Sequence, residues 1–357
     1  MRKICFFSGD ISRSGGTERV TTVIANALIN MGFDVSILSL SNGTNSYFPI
    51  DESVQLYSLR MEGYSANFSD LIVWWRLHKF IKNKAIDYII DVDILLSWYS
   101  VLASIFTHTK TISWEHFNRN INVGDVFQRF RRLVGRYLAM RFANLIIVLT
   151  QRDRQQYTRN PFCQVPVATI PNPKSFAYRQ RSQMQKNTVL SAGRLVPEKG
   201  FDMLLRSWSK LNPNELGWIL RIVGSGPEDI MLRALAESLD INSSVEFVPH
   251  TNDMESIYKE ASIFVCSSRF EGFPLVVLEA RSLGLPVVSF DCGGPSEIIR
   301  HGIDGLIVEK ENIDELAVAI LDLISNESKR NAFGVFGYED NRFNIEKIIE
   351  IWRNLLV

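Results

Sequence analysis

Two glutamates with seven residues between them, Glu271 and Glu279, bracket the run Gly272-Phe273-Pro274-Leu275-Val276-Val277-Leu278. The run comes soon after an apolar segment, Ile263–Cys266, that reads as a buried strand. Gly272 lets the backbone turn sharply, and Pro274 suits the first turn of a helix. The unpaired N–H groups of a helix start, helped by the helix dipole, can hold an anion. A carboxylate on either side would accept hydrogen bonds from hydroxyl groups such as a sugar carries. A capped helix with two surface glutamates would show the same pattern. A second cluster, Ser191-Ala192-Gly193-Arg194-Leu195-Val196-Pro197-Glu198-Lys199-Gly200, also lies at a strand end. Arg194 and Lys199 are near enough to converge on one diphosphate, Arg as a bidentate donor and Lys as a point charge. They would also offset charge developing on a departing diphosphate. Two solvated surface cations are the plainer alternative.

Other segments add weaker signals. Val223-Gly224-Ser225-Gly226-Pro227-Glu228 is a glycine-rich turn after an apolar run. Ser12-Arg13-Ser14-Gly15-Gly16-Thr17-Glu18-Arg19 joins the first expected strand to the first helix, and Gly15 and Gly16 let a ligand approach the backbone there. It lacks the full Gly-x-Gly-x-x-Gly spacing of a dinucleotide fingerprint. His116, in Ser113-Trp114-Glu115-His116-Phe117-Asn118, follows a strand end and can bond a sugar hydroxyl or position an acceptor. A lone histidine is more often structural, and His78, His108, His250 and His301 are read that way. Asp91-Val92-Asp93 has the form of a metal-binding pair, but it falls in the wrong half of the chain for a donor site. A strand-end pair lining an acceptor cleft is the preferred reading.

Taken together, Glu271-Gly272-Phe273-Pro274-Leu275 through Glu279 resembles the two-glutamate signature of the family 4 retaining glycosyltransferases. The Gly-Arg and Glu-Lys-Gly pattern around Arg194 and Lys199, the Gly-x-Gly-Pro turn at Gly224 and the Gly-Gly-x-Glu-Arg loop at Gly15 resemble further family features. Ser289-Phe290-Asp291-Cys292-Gly293-Gly294-Pro295-Ser296-Glu297 is similar to bacterial members that build surface polysaccharides. Pro249-His250 departs from the glycine of many relatives and leaves the base-contacting loop open. The resemblance implies an α/β GT-B fold, with two Rossmann-like domains of parallel sheet facing a central cleft. It implies that Glu271 contacts the donor sugar, that the amides of Phe273, Pro274's neighbour Leu275 and Val276 meet the diphosphate, and that Glu279 holds the ribose. Arg194 and Lys199 would stabilise the leaving group, with His116 in the wall of the cleft. Glu271, His116, Arg194 and Lys199 are thus the expected catalytic set. Gly15, Gly16, Gly224, Gly272, Phe273, Pro274, Leu275, Val276 and Glu279 are the expected donor-binding set. The expected donor is a nucleotide sugar, UDP-linked, and the acceptor a glycan or lipid-linked hydroxyl. No metal or other cofactor is expected. An epimerase of the same fold and a non-catalytic nucleotide-binding protein remain the rival readings.

These side chains need a scaffold. At 357 residues the chain is too long for one ordinary core and suggests two domains. Short apolar runs at residues 3–7, 34–40, 86–90, 109–114 and 145–149 alternate with amphipathic stretches, the first of them a helix from Glu18 to Met31. That alternation implies parallel sheets covered by helices on both faces. Pro171-Asn172-Pro173 breaks the pattern, and a polar stretch, 174–186, follows. The pattern then resumes at Thr188–Ala192, 218–223, Val245–Val248, Ile263–Cys266, 286–290 and Gly305–Val308. The expected division is 1–173, with a helix at about 341–357 returning to it, and 174–340.

With 46% hydrophobic and 22% charged residues, disorder is excluded. Zero formal net charge hides a basic stretch from Arg119 to Arg194, opposed only by Asp125 and Asp153. No nucleic-acid motif accompanies it. Its densest part, Phe127-Gln128-Arg129-Phe130-Arg131-Arg132-Leu133-Val134-Gly135-Arg136-Tyr137-Leu138, suits an anionic membrane surface or a solvated helix equally. Cys5, Cys163, Cys266 and Cys292 lack metal-ligand spacing and suit a reducing compartment. The apolar run after Met1 is too short for a signal peptide, and no run spans a bilayer. A cytoplasmic protein, or one peripheral on the inner membrane, is expected.

Overall fold

A computed structural model describes residues 1–41, 43–59, 69–116, 126–174, 180–251 and 253–357. Phe117 and Asn118 of the His116 motif, and Arg119, Asp125 and Arg179 of the basic stretch, lie outside them. The chain forms two compact units, Met1–Pro173 with Phe343–Val357, and Lys174–Arg342.

The first unit is built on seven parallel strands: β1 (Lys3–Ser8), β2 (Asp34–Ser39), β3 (Gln55–Ser58), β4 (Tyr88–Asp91), β5 (Lys110–Glu115), β6 (Leu145–Val148) and β7 (Val167–Thr169). Their order is β3-β2-β1-β4-β5-β6-β7. Ile4, Cys5, Phe6 and Phe7 in β1 and Ile89 and Ile90 in β4 have no exposure, as central parallel strands covered on both faces require. The helix Ile345–Leu356 buries Ile348, Ile349, Trp352 and Leu356, one stripe of the 3.6-residue period. Trp352 meets Trp114 of β5 edge-on, with ring centroids 5.0 Å apart, and Phe6 of β1 at 6.2 Å.

The second unit carries six parallel strands: β8 (Thr188–Ala192), β9 (Ile219–Val223), β10 (Val245–Val248), β11 (Ile263–Cys266), β12 (Val287–Phe290) and β13 (Gly305–Val308), ordered β10-β9-β8-β11-β12-β13. In both sheets two strands distant in sequence sit side by side near the centre: β1 beside β4, and β8 beside β11. The connections leave them in opposite directions, so a crevice opens at their carboxyl ends. Gly15, Gly16 and Asp93 lie just past the ends of β1 and β4. Arg194, Lys199 and Glu271 lie just past the ends of β8 and β11.

A buried charge cluster braces the second unit. The Arg281 guanidinium, 1% exposed, donates to Asp304 at 2.7 Å, to Asp340 at 2.9 Å and to the carbonyl of Ile298 at 2.8 Å. Asp340 also accepts from Arg342 at 2.8 Å, and its backbone carbonyl accepts from Lys174. Although burial opposes its charge, the hydrogen bonds from Arg342 and the Arg281 charge hold the Asp340 carboxyl well below the usual carboxylate range. Arg281→Ala removes the cation shared by two buried carboxylates and leaves Asp304 to Arg300 and Asp340 to Arg342, so a loss of about 3 kcal/mol, the low end for a broken buried pair, is expected. A thermal or urea midpoint for the variant equal to that of the parent would refute this.

Candidate functional site

The loops past β8 and β11 are joined before any ligand is considered. Gly200 has φ +64°, and a Cβ there would stand 2.2 Å from the carbonyl oxygen of Ser267. Only glycine allows that approach. The Ser267 hydroxyl donates to the Lys199 carbonyl at 3.1 Å, and the Arg269 amide donates to Glu198 at 2.8 Å. Arg269 also grips Asp202 with two parallel bonds of 2.8 and 2.7 Å. The Lys199 ammonium is thereby set 2.6 Å from Oε1 of Glu271, which also accepts from the Ser268 hydroxyl at 2.7 Å. Burial draws the Lys199 pKa down, but the Glu271 carboxylate outweighs it and leaves the ammonium more firmly protonated than an ordinary lysine. A cavity of about 10 Å³, room for about one water, adjoins the pair between Ser191, Cys266, Ser268 and Val276.

The helix Leu275–Ser282 follows this loop. Pro274 is its cap, with φ −71° and ψ 114°, and does not occupy the first turn as the sequence suggests; extended ψ places it before the helix. The Val277 amide bonds the Pro274 carbonyl at 3.2 Å. The amides of Leu275 and Val276 have no carbonyl one turn back within the helix. Glu279 is 3% exposed and accepts from the Tyr258 hydroxyl at 3.0 Å. A helix decorated with surface glutamates is therefore excluded. On the β9 side, Gly224 has φ +157°, and a Cβ there would stand 1.8 Å from the Gly193 carbonyl. The Leu195 amide donates to Ser225 at 3.0 Å, binding the Arg194 loop to the Gly224 turn. The Arg194 side chain is exposed and makes no hydrogen bond or ion pair among the described residues.

In the first unit, Gly15 caps the helix Gly16–Asn30, so Gly16 is already helical and the helix begins two residues before the expected Glu18. His116 is 8% exposed, lies against Trp114 with centroids 4.1 Å apart, and its Nε2 has no partner among the described residues. Burial holds its pKa down to about 3, so the ring is neutral. Beside it, Oε2 of Glu115 accepts from Tyr157 at 2.9 Å and Arg136 at 3.2 Å. Asp91 and Asp93 are engaged by protein groups. Asp91 accepts from Ser97 at 2.7 Å and Ser100 at 2.6 Å. Asp93 accepts from the Leu95 amide at 2.9 Å and from Arg132 at 2.8 Å. Among the described residues no group of three or more His, Cys, Asp or Glu side chains is placed to hold a metal ion.

The arginine-rich stretch does not present one basic face. In the helix Val126–Phe142, Arg131, Arg132 and Arg136 turn inward onto Asp70, Asp93 and Glu115. Tyr258, Ser268, Arg269 and Asp202 were not legible as site residues, because their roles arise only where distant segments meet.

Asp91 and His116 give the fold two opposed pH slopes. Burial pushes the Asp91 carboxyl from an ordinary 3.8 up to about 7, so the folded chain holds a proton that the unfolded chain has lost. Its contribution is present below pH 3.8 and disappears as pH rises through about 7. His116 stays neutral while the unfolded ring protonates near 6.5, so its contribution is present above pH 6.5 and disappears as pH falls toward about 3. Urea unfolding across pH should show Asp91→Asn flattening the first slope and His116→Phe the second. Slopes unchanged in both variants would contradict these protonation states.

Residues 14–173 match the family profile described as Glycosyltransferase Family 4, and residues 175–340 match Glycosyl transferases group 1. An uncharacterized glycosyltransferase of Haemophilus influenzae is 36% identical over 359 residues, covering all of both chains. The amylovoran biosynthesis glycosyltransferase AmsD of Erwinia amylovora is 28% identical, again over the whole of both chains. Among solved structures, Anabaena Alr3699/HepE in complex with UDP shares the fold with a TM-score of 0.80 at 19% identity, over 100% of this chain and 99% of that one.

Proposed function

The chain belongs to the family 4 glycosyltransferases of the GT-B fold, and from that premise we propose that it moves a hexosyl unit from a UDP-sugar to a hydroxyl of a growing surface glycan or glycolipid, with retention at the anomeric carbon. The observation that carries the reading is the Lys199–Glu271 ion pair at the carboxyl ends of β8 and β11, beside the start of the helix Leu275–Ser282. A cation, a carboxylate and a helix start within one pair of joined loops match a phosphorylated sugar, which needs all three. A whole-length relative named for amylovoran biosynthesis and a fold neighbour solved with UDP support the acceptor class and the donor nucleotide.

In this reading Lys199 and Arg194 face the diphosphate, together with the amides from Phe273 to Val276. Glu271 accepts from sugar hydroxyls, and Glu279, its rotamer set by Tyr258, accepts from the ribose. Gly15 and Gly16 leave the first helix start open to donor or acceptor, and neutral His116 offers Nε2 to an acceptor hydroxyl. The donor's anomeric C–O bond breaks as the acceptor oxygen bonds to the same face. The departing phosphate oxygen takes the acceptor's proton. The protein's work is positioning and charge stabilisation, and Lys199 with Arg194 carries the charge without a metal ion.

Calorimetric screening of nucleotide sugars should select a UDP-sugar, and trial acceptors with that donor should yield an α-configured product from an α-configured donor. An epimerised nucleotide sugar formed without acceptor would overturn the reading. Glu279→Ala should weaken donor binding about 10–100-fold, the scale of one lost hydrogen bond to a charged group. Glu271→Ala should lower kcat about 100-fold with a smaller change in KM. Kinetics unchanged in both variants would remove the central assignment.

A further inference from the structure

The helix Val126–Phe142 has two unlike faces. Its inner face is basic and close-packed: Arg132 and Arg136 reach Asp93 and Glu115, Ala139 is fully buried, and a Cβ on Gly135 would stand 2.7 Å from the Ile94 carbonyl. Its outer face is apolar. Val126, Phe130, Leu133 and Tyr137 recur at helical spacing and are all exposed, Phe130 by 57% and Leu133 by 66%. This reverses the ordinary arrangement of a surface helix, which turns its apolar stripe inward.

Beyond the helix, Phe162 is 59% exposed and its ring lies 6.5 Å from that of Tyr137. Leu133, Val134, Tyr137, Met140 and Phe162, with Arg136, line an open groove of about 520 Å³. The surroundings are positive. Residues 126–164 hold eight arginines and one acid, Asp153, which is buried; Asp70, Asp93 and Glu115 from outside the segment offset Arg131, Arg132 and Arg136, and positive charge remains in excess. Arg154 and Arg159 are exposed on the neighbouring helix, Gln151–Thr158, and at its end.

We propose that this outer face is a docking surface for an anionic lipid bilayer, with Phe130, Leu133, Tyr137 and Phe162 entering the headgroup–acyl boundary and Arg154 and Arg159 meeting the lipid phosphates. Aromatic and leucine side chains beside arginines, with no exposed acid in the segment, fit a surface that is apolar below and negative above. The groove admits hydrocarbon. Arg131, Arg132 and Arg136 of the helix are committed to Asp70, Asp93 and Glu115, so apolar insertion provides most of the binding and charge provides attraction. The surface stands apart from the donor assignment and is tested without any nucleotide sugar.

The full chain is floated with vesicles of phosphatidylglycerol and phosphatidylethanolamine, and with phosphatidylcholine alone, at low salt and at 0.5 M salt. The unsubstituted protein is expected to bind the anionic vesicles, and to retain part of that binding at high salt. Phe130→Ser/Leu133→Ser/Phe162→Ser is expected to lose roughly 100-fold in partitioning, from the apolar area it no longer buries. Arg154→Ser/Arg159→Ser is expected to lose several-fold, at low salt only. An unchanged thermal midpoint in each variant confirms that the fold is intact. No vesicle binding by the parent, or equal binding by the triple variant, overturns the proposal. So does a parent dimer that the triple variant dissociates with no vesicle binding by either, which assigns the face to a second copy of the chain.

Discussion

Parallel strands that are neighbours in space but not in sequence force the chain to leave a sheet in two directions from one place. At β8 and β11 this places two loops opposite each other with nothing regular between them. Hydrogen bonds from Ser267 and Arg269 then join the loops, and the Lys199 ammonium has one position, against Glu271. The geometry of the site thus follows from strand order first and from side-chain chemistry second. Such joining matters for a group meant to stabilise charge, since a cation already held in place needs no reorganisation when the charge appears.

The same economy governs the buried charges. Arg281 serves Asp304 and Asp340, and Arg132 and Arg136 serve Asp93 and Glu115. In each case a basic side chain from one helix neutralises carboxylates brought from elsewhere in the chain. An ion pair of this kind adds little net stability over an apolar pair, but breaking it is costly, so it fixes which helix sits where. For the helix Val126–Phe142 the consequence is direct. Its cations are drawn inward, and its apolar side chains are left on the surface.

Much of this was legible in the sequence, for identifiable reasons. Central strands such as Ile263–Cys266, and β1 over Ile4 to Phe7, are continuous apolar runs, because burial on both faces demands it. The edge strands β3 and β7 escaped notice, since Gln55-Leu56-Tyr57-Ser58 and Val167-Ala168-Thr169 are partly exposed and carry no such run. Glu271, Glu279, Arg194 and Lys199 stand out because each is spaced from a glycine or proline that the backbone requires. Tyr258 and Ser268 do not, because a hydroxyl acquires its partner only when distant segments meet. The inward turn of the arginines in the Arg-rich helix was not legible for the same reason: the sequence shows the arginines, but their partners Asp70, Asp93 and Glu115 lie well outside it.

The return of the chain to its first unit has a consequence for synthesis. Residues 174–342 form a unit that is contiguous in sequence, whereas the first unit takes Trp352 and its helix from beyond that insertion. Trp352 fills the space between Trp114 and Phe6 at the centre of the first sheet. On the ribosome, then, the earlier-made unit waits with an open aromatic core while the later-made one can close on its own. The order of completion is the reverse of the order of translation. Truncation of a few residues at the far end of the chain would therefore be felt in β1 and β5, in the unit that was made first.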